Sequence, residues 1–328
     1  MVALSDSYKS QGRLAEAEEL CKQSLDRKIL VLGEQDQNTL ETTEKLAEIY
    51  DHMGKYAEEE VLRKRCLDQY KLNFGENHPR TLIAACLLGK NHTSQGKHSE
   101  AETLLKECLA KQVTLNFEND AVQTSSRLAS NFYVQGNFAE AAKLHKICLD
   151  HKISSLGVDN PNTLSTMTNL ASALLGEEKY AEAETLQKQS LDKQRLLMGE
   201  DHPCTLCTMS NLANNYAAQQ RFDEAEKLYW KCLGKQTRVL GEYHPSTLNT
   251  MSCLADTYGK VGNIVVAERL YKKCIDKLIK TLGQNHPATL RSIENLAFFL
   301  AFHGEHGNGN DNNDKKDNDK ADEDNSDK

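Results

Sequence analysis

The feature that most constrains this chain is a sentence it repeats. Variants of Gly-Glu-x-His-Pro-x-Thr-Leu place a Thr at 39, 81, 163, 205, 247 and 289, with Ala121 in the same register. Successive copies lie 42 residues apart, except for one step of 40 between Thr81 and Ala121. A fixed period of this length means stacked supersecondary units, each unable to bury its apolar face alone.

Counting that Thr as position 0, position 7 is Leu46, Leu88, Leu128, Leu170, Leu212, Leu254 and Leu296. Position 8 is Ala47, Gly89, Ala129, Ala171, Ala213, Ala255 and Ala297, and position 11 holds Tyr50, Phe132, Tyr216 and Tyr258. With the Leu at position 1, these residues form one stripe of a helix, and the small residue permits close helix approach. Pro79, Pro161, Pro203, Pro245 and Pro287 fit a first helical turn. The residue before them is His78, Asn160, His202, His244 or His286, and Asp36 holds that place in the copy without proline. Asn and Asp are strong N-caps, so the His is expected to cap as well.

Glycines at 54, 96, 136, 262 and 304 punctuate the end of this first helix. A second helix then starts at Tyr56, Phe138, Tyr180, Phe222 or Ile264 and stops at a C-cap glycine: Gly33, Gly75, Gly157, Gly199, Gly241 or Gly283. The expected fold is all-α, an α-solenoid of stacked antiparallel helix pairs. It spans residues 1–303 as about seven pairs, the first shortened, plus a terminal helix. Residues 304–328 read as a disordered acidic Asn/Asp/Lys tail, because nothing there can bury enough surface to offset the entropy of ordering.

Leu-Ala-x-x-Tyr followed by Gly-x-Phe/Tyr-x-Glu-Ala-Glu resembles the tetratricopeptide repeat. The 42-residue period with Gly-Glu-x-His-Pro-x-Thr-Leu between units resembles its kinesin light chain branch. The resemblance covers residues 1 to about 303 and implies a non-catalytic interaction scaffold that binds a partner peptide in a concave groove, as a cargo or adaptor module does. Kinesin light chains carry a heptad segment ahead of the repeats that binds the motor heavy chain. Residue 1 here already falls inside a first helix, so heavy-chain binding is not expected. The alternative is an architectural solenoid, or a fragment of a larger signalling protein, with partners on the convex face.

Composition and motifs narrow the classes further. The net charge is −8, of which −4 falls on Asp311–Lys328 (eight acids against four lysines). No basic stripe is left to neutralise phosphates, so nucleic acid is not an expected partner. No apolar run is long enough to enter a membrane, and no secretory signal opens the chain, so a cytoplasmic protein is expected. Of ten cysteines, Cys66, Cys108, Cys148, Cys232 and Cys274 share position 27, where Ser24 and Ser190 fill other copies. Small residues rotating through one position indicate a buried helix contact. His202, Cys204 and Cys207 have ligand-like spacing, but His202 belongs to the capping series and no second cluster completes four ligands. No metal, cofactor or catalytic residue is expected, since phosphate-loop, zincin and nucleophile-elbow patterns are absent.

The resemblance implies that positions 2, 5, 6, 9, 12 and 13 of each first helix line the groove. Asn169, Asn211, Asn214 and Asn295 stand at such positions, and a carboxamide can both donate to and accept from an extended peptide backbone. Lys45, Lys90 and Arg127 add positive charge suited to acidic side chains of a protein or peptide ligand. Outside the groove, position 25 is lysine in six copies and Trp230 in the remaining one. Trp230, with adjacent Tyr229, is therefore a candidate contact on the convex face.

Overall fold

The computed structural model describes residues 2–303 apart from Gln11 and Asn285. The expected tail and Gly304 lie outside the described residues. Among the described residues there are fifteen helices and no strand. The first helices of the pairs are α1 (Val2–Ser10), α3 (Gln37–His52), α5 (Pro79–Ser94), α7 (Glu118–Val134), α9 (Pro161–Gly176), α11 (Pro203–Ala218) and α13 (Pro245–Val261). Their partners are α2 (Leu14–Leu32), α4 (Tyr56–Phe74), α6 (His98–Thr114), α8 (Phe138–Leu156), α10 (Tyr180–Met198), α12 (Phe222–Leu240) and α14 (Ile264–Leu282). Helix α15 (Pro287–His303) closes the series.

The capping series works as its chemistry requires. Nδ1 of His78, His202, His244 and His286 accepts from the backbone N–H two residues on, at 3.1–3.2 Å. Asp36 and Asn160 do the same through side-chain oxygens at 2.8 and 2.9 Å. Each satisfies one of the donors that a helix N-terminus leaves open. At the other end, the glycines closing α2, α4, α8, α10, α12 and α14 have φ between 86° and 93°, a conformation that disfavours any residue with a Cβ.

Packing follows the small-residue columns. Ala47, Ala129, Ala171, Ala213 and Ala255 on first helices and Ala17, Ala101, Ala141, Ala183, Ala225 and Ala267 on second helices have no exposed surface. Position 27 is buried throughout, and in five copies its side chain donates to the carbonyl of position 1 in the same unit. Cys66 reaches Leu40 O at 3.9 Å, Cys148 reaches Val122 O at 3.4 Å, Ser190 and Cys232 reach Leu164 O and Leu206 O at 3.2 Å, and Cys274 reaches Leu248 O at 3.3 Å.

The 40-residue step has its own geometry. Between α6 and α7 the chain omits the capped connection and turns through Leu115, Asn116 (φ 58°) and Phe117. Asn116 N–H donates to Val113 O and Phe117 N–H to Gln112 O. That is the bond pattern of the turns inside each pair, where Gly54 donates to Asp51 O and Lys55 to Tyr50 O. A joint between units has here been replaced by a turn of the kind found within units.

Candidate functional site

The extensive contacts between helices not adjacent in sequence are all between first helices: α5 with α7, α9 with α11, and α11 with α13. In a curved stack the elements on the inside approach one another most closely, so the first helices line the concave face. Their floor is stitched by side chains at positions 5 and 3 of successive units. Cys86 Sγ meets Thr124 Oγ1 at 3.0 Å, Thr168 meets Thr208 at 3.1 Å, and Ser210 meets Thr250 at 3.1 Å.

The expected cationic residues do not stand alike. Lys45 Nζ donates to Asp6 at 2.5 Å and Lys90 Nζ to Asp51 at 2.6 Å, each acid lying on the preceding first helix. Each charge thus has a partner within the fold, in ion pairs whose lysines stay 39% and 45% exposed. Arg127 differs. It is half-buried on α7 and has no ion-pair partner among the described residues. Burial pushes its guanidinium down from the ordinary range, with Asp120 acting in the opposite sense through space. Arg127 lines a cavity of about 120 Å³ between α5 and α7, together with Ile83, Cys86, Gln112, Asp120, Gln123 and Thr124. Gln112 is 1% exposed and its Oε1 has no hydrogen-bond partner.

The carboxamides also divide. Asn169 is exposed, while Asn211 and Asn295 are half-buried at the same position of their helices. Asn214 is half-buried, and its Oδ1 already accepts from the hydroxyl of Tyr229. Tyr229 is itself 1% exposed, so it is a core residue and not part of a convex contact. Trp230 is 45% exposed and leans onto the next pair, where its Nε1–H donates to Tyr258 OH at 3.1 Å. Tyr258 in turn donates to Glu226 at 2.7 Å.

Among the described residues, no group of three or more His, Cys, Asp or Glu side chains could hold a metal ion, and no helix is long and apolar enough to cross a membrane. Sequence reasoning missed the Arg127 cavity, the stitched floor and the lysine–aspartate pairs. A signal for them exists, since partners on neighbouring first helices recur at separations of 38 to 40 residues.

A family model described as tetratricopeptide repeat matches residues 1–71, 60–111, 120–195, 170–235 and 204–280. No curated protein matches the sequence. Among solved structures, the nearly identical TPR-like repeats of a Podosopora anserina kinesin light chain candidate are 25% identical. They cover 62% of this chain and 98% of their own, with a TM-score of 0.50. BtubC (BKLC) from P. vanneervenii is 15% identical over 79% of this chain and 96% of its own, TM-score 0.51. The Rap conjugation gene regulator of plasmid pLS20, solved in complex with the Phr* peptide, is 14% identical over 86% of this chain and 75% of its own, TM-score 0.63.

Proposed function

The chain belongs to the tetratricopeptide repeat family, and from that premise we propose that it is a non-catalytic scaffold whose concave groove binds an extended segment of a partner protein. Asn169, Asn211 and Asn295 pair with the backbone of that segment, and Arg127 takes one of its acidic side chains. Within this class, cargo or adaptor binding of the kinesin light chain kind is the favoured version, supported by likeness to the P. anserina repeats. A peptide seated in the Rap regulator supports the general mode at the level of fold. The cytoplasm suits such a role and suits ten free thiols.

The observation that carries the reading is Arg127 itself. A guanidinium drawn partly out of water without a carboxylate partner is costly, and an incoming carboxylate offsets that cost with charge-assisted hydrogen bonds. Each such bond contributes about 1.5–3 kcal/mol. The test uses fluorescein-labelled, otherwise uncharged peptides carrying either one Glu or the matching Gln, with binding followed by anisotropy. The Glu peptide should bind more tightly, and Arg127→Gln should erase the difference while Lys45→Gln leaves it nearly intact. Equal binding of both peptides to the unaltered chain would sink the assignment of Arg127.

A convex-face partner is the second reading. It rests on Trp230, a half-exposed indole where six other copies carry lysine.

A further inference from the structure

The thiols at position 27 of this solenoid follow one rule, and one unit breaks it. Cys66, Cys148, Cys232 and Cys274 each donate to a backbone carbonyl of the first helix. Burial pushes all four up, to about 12, 11, 12 and 11, so they stay protonated and inert. Cys108 occupies the same position without such a bond; in the equivalent place of another unit Ser190 Oγ meets Thr168 Oγ1 at 3.3 Å, and here that juxtaposition sets Cys108 against Cys86 on the facing helix α5.

Cys86 sits among polar partners. Besides Cys108, the Thr124 hydroxyl lies 3.0 Å from its sulfur and Gln112 Nε2 lies 3.8 Å away. Gln112 is one helical turn beyond Cys108, so both reach Cys86 from one face of α6. Arg127 stands in the wall of the same cavity. These contacts, led by Cys108 and aided by the charge of Arg127, hold the Cys86 thiol below the ordinary cysteine range against the opposing pull of burial. The cavity of about 120 Å³ that Cys86 lines exceeds the roughly 30 Å³ that a water molecule occupies in the liquid, so a molecule of peroxide size fits within it, while the Cys86 side chain itself is 0% exposed.

We propose that Cys86 is an oxidation site at the floor of the groove, with Cys108 as the thiol that resolves it. The oxidant is hydrogen peroxide. The Cys86 thiolate attacks one peroxide oxygen: an S–O bond forms, the O–O bond breaks, and the departing hydroxide is protonated to water. Cys108 then attacks the sulfenic sulfur: an S–S bond forms, the S–O bond breaks, and a second water leaves with the Cys108 proton. Two thiols and one peroxide give one disulfide and two waters. The product staples α5 to α6 and withdraws the Cys86 sulfur from Thr124, the stitch that joins α5 to α7.

The test treats the full reduced chain with substoichiometric hydrogen peroxide, blocks remaining thiols after unfolding, and maps peptides by mass. The expected first product is a peptide pair linked through Cys86 and Cys108, formed before any product at Cys204 or at Cys207, which is exposed. In Cys108→Ser, where a hydroxyl replaces the thiol, dimedone should trap the sulfenic acid on Cys86. Thiol-specific alkylation of the folded chain gives a measure free of the variant, and Cys86 should react at least tenfold faster than Cys66. Oxidation of Cys204 or Cys207 while Cys86 remains fully reduced would overturn the proposal, as would alkylation of Cys86 only after unfolding.

Discussion

The hydroxyl of Tyr229 donates to the carboxamide oxygen of Asn214, tying a second helix to the first helix of its own pair from inside the core. One unit on, Tyr271 donates to Asp256 in the same arrangement. Removing only the hydroxyl isolates this bond. Tyr229→Phe should lower stability by about 1 kcal/mol, whereas Tyr229→Ala should cost about 3–5 kcal/mol through the cavity it leaves. Urea midpoints of the two variants decide it, and a Phe variant as unstable as the Ala variant would show that the ring packing had been misjudged.

Gly176 ends α9 against the ring of Phe138. A Cβ built there would lie 2.4 Å from two ring carbons. Helix propensity alone would favour Gly176→Ala by about 1 kcal/mol. The overlap is with a stiff aromatic ring, so steric strain should prevail and the variant should lose about 1–3 kcal/mol. Pairing it with Phe138→Leu should recover part of the loss in the same denaturation assay, and no recovery would locate the strain elsewhere.

His145 is buried on α8, its Nδ1 lacks a partner, and burial followed by the nearby Lys152 pushes its pKa down to about 4. The unfolded chain therefore binds this proton near pH 6.5, while the folded chain refuses it until about pH 4. Stability should be level above about pH 6.5 and fall as the pH drops from there to about 4, by roughly 3 kcal/mol in total. The caps His244 and His286 are pushed the same way, chiefly by burial, and add to the slope in the upper part of that window. Thermal midpoints against pH for the wild type and His145→Leu should differ in slope between about pH 4 and pH 6.5, the wild type falling more steeply as the pH drops. Parallel curves would mean that His145 gains a proton without cost.

Trp230 is the single tryptophan, so its emission reports one site. With 45% of its surface exposed, it should be quenched by iodide, yet less readily than free indole, because the Nε1–H···Tyr258 bond holds one edge against the next pair. Trp230→Lys restores the residue of the other copies and should cost no more than about 1.5 kcal/mol. Complete shielding from iodide would rule out the convex-face reading.

Most of the fold is written at single-residue resolution in the repeat, because cap, stripe and stop each need a particular residue type at a particular offset. His78 and His202 are legible as caps since Asn160 and Asp36 fill their place in other copies. Contacts between units are less legible. Lys45 and Lys90 look free in their own helices, and Asp6 and Asp51 come into view only when the stack sets successive first helices side by side. Tyr229 went astray for a local reason. Neighbours on a helix point about 100° apart, so the exposure of Trp230 carries no information about Tyr229. Arg127 shows a third limit: the sequence displays its charge, while the absence of a carboxylate partner is a property of the assembled groove.

The turn at Leu115–Phe117 bears on how any ligand finds its place. An array of identical units offers identical footholds, and a strand that reads backbone alone could settle one unit up or down at nearly equal free energy. The exceptional joint removes that degeneracy. It falls at one place in the chain, between α6 and α7, and near it lie Arg127 and the thiols of Cys86 and Cys108. A ruler with equal divisions has no zero, and this joint supplies one.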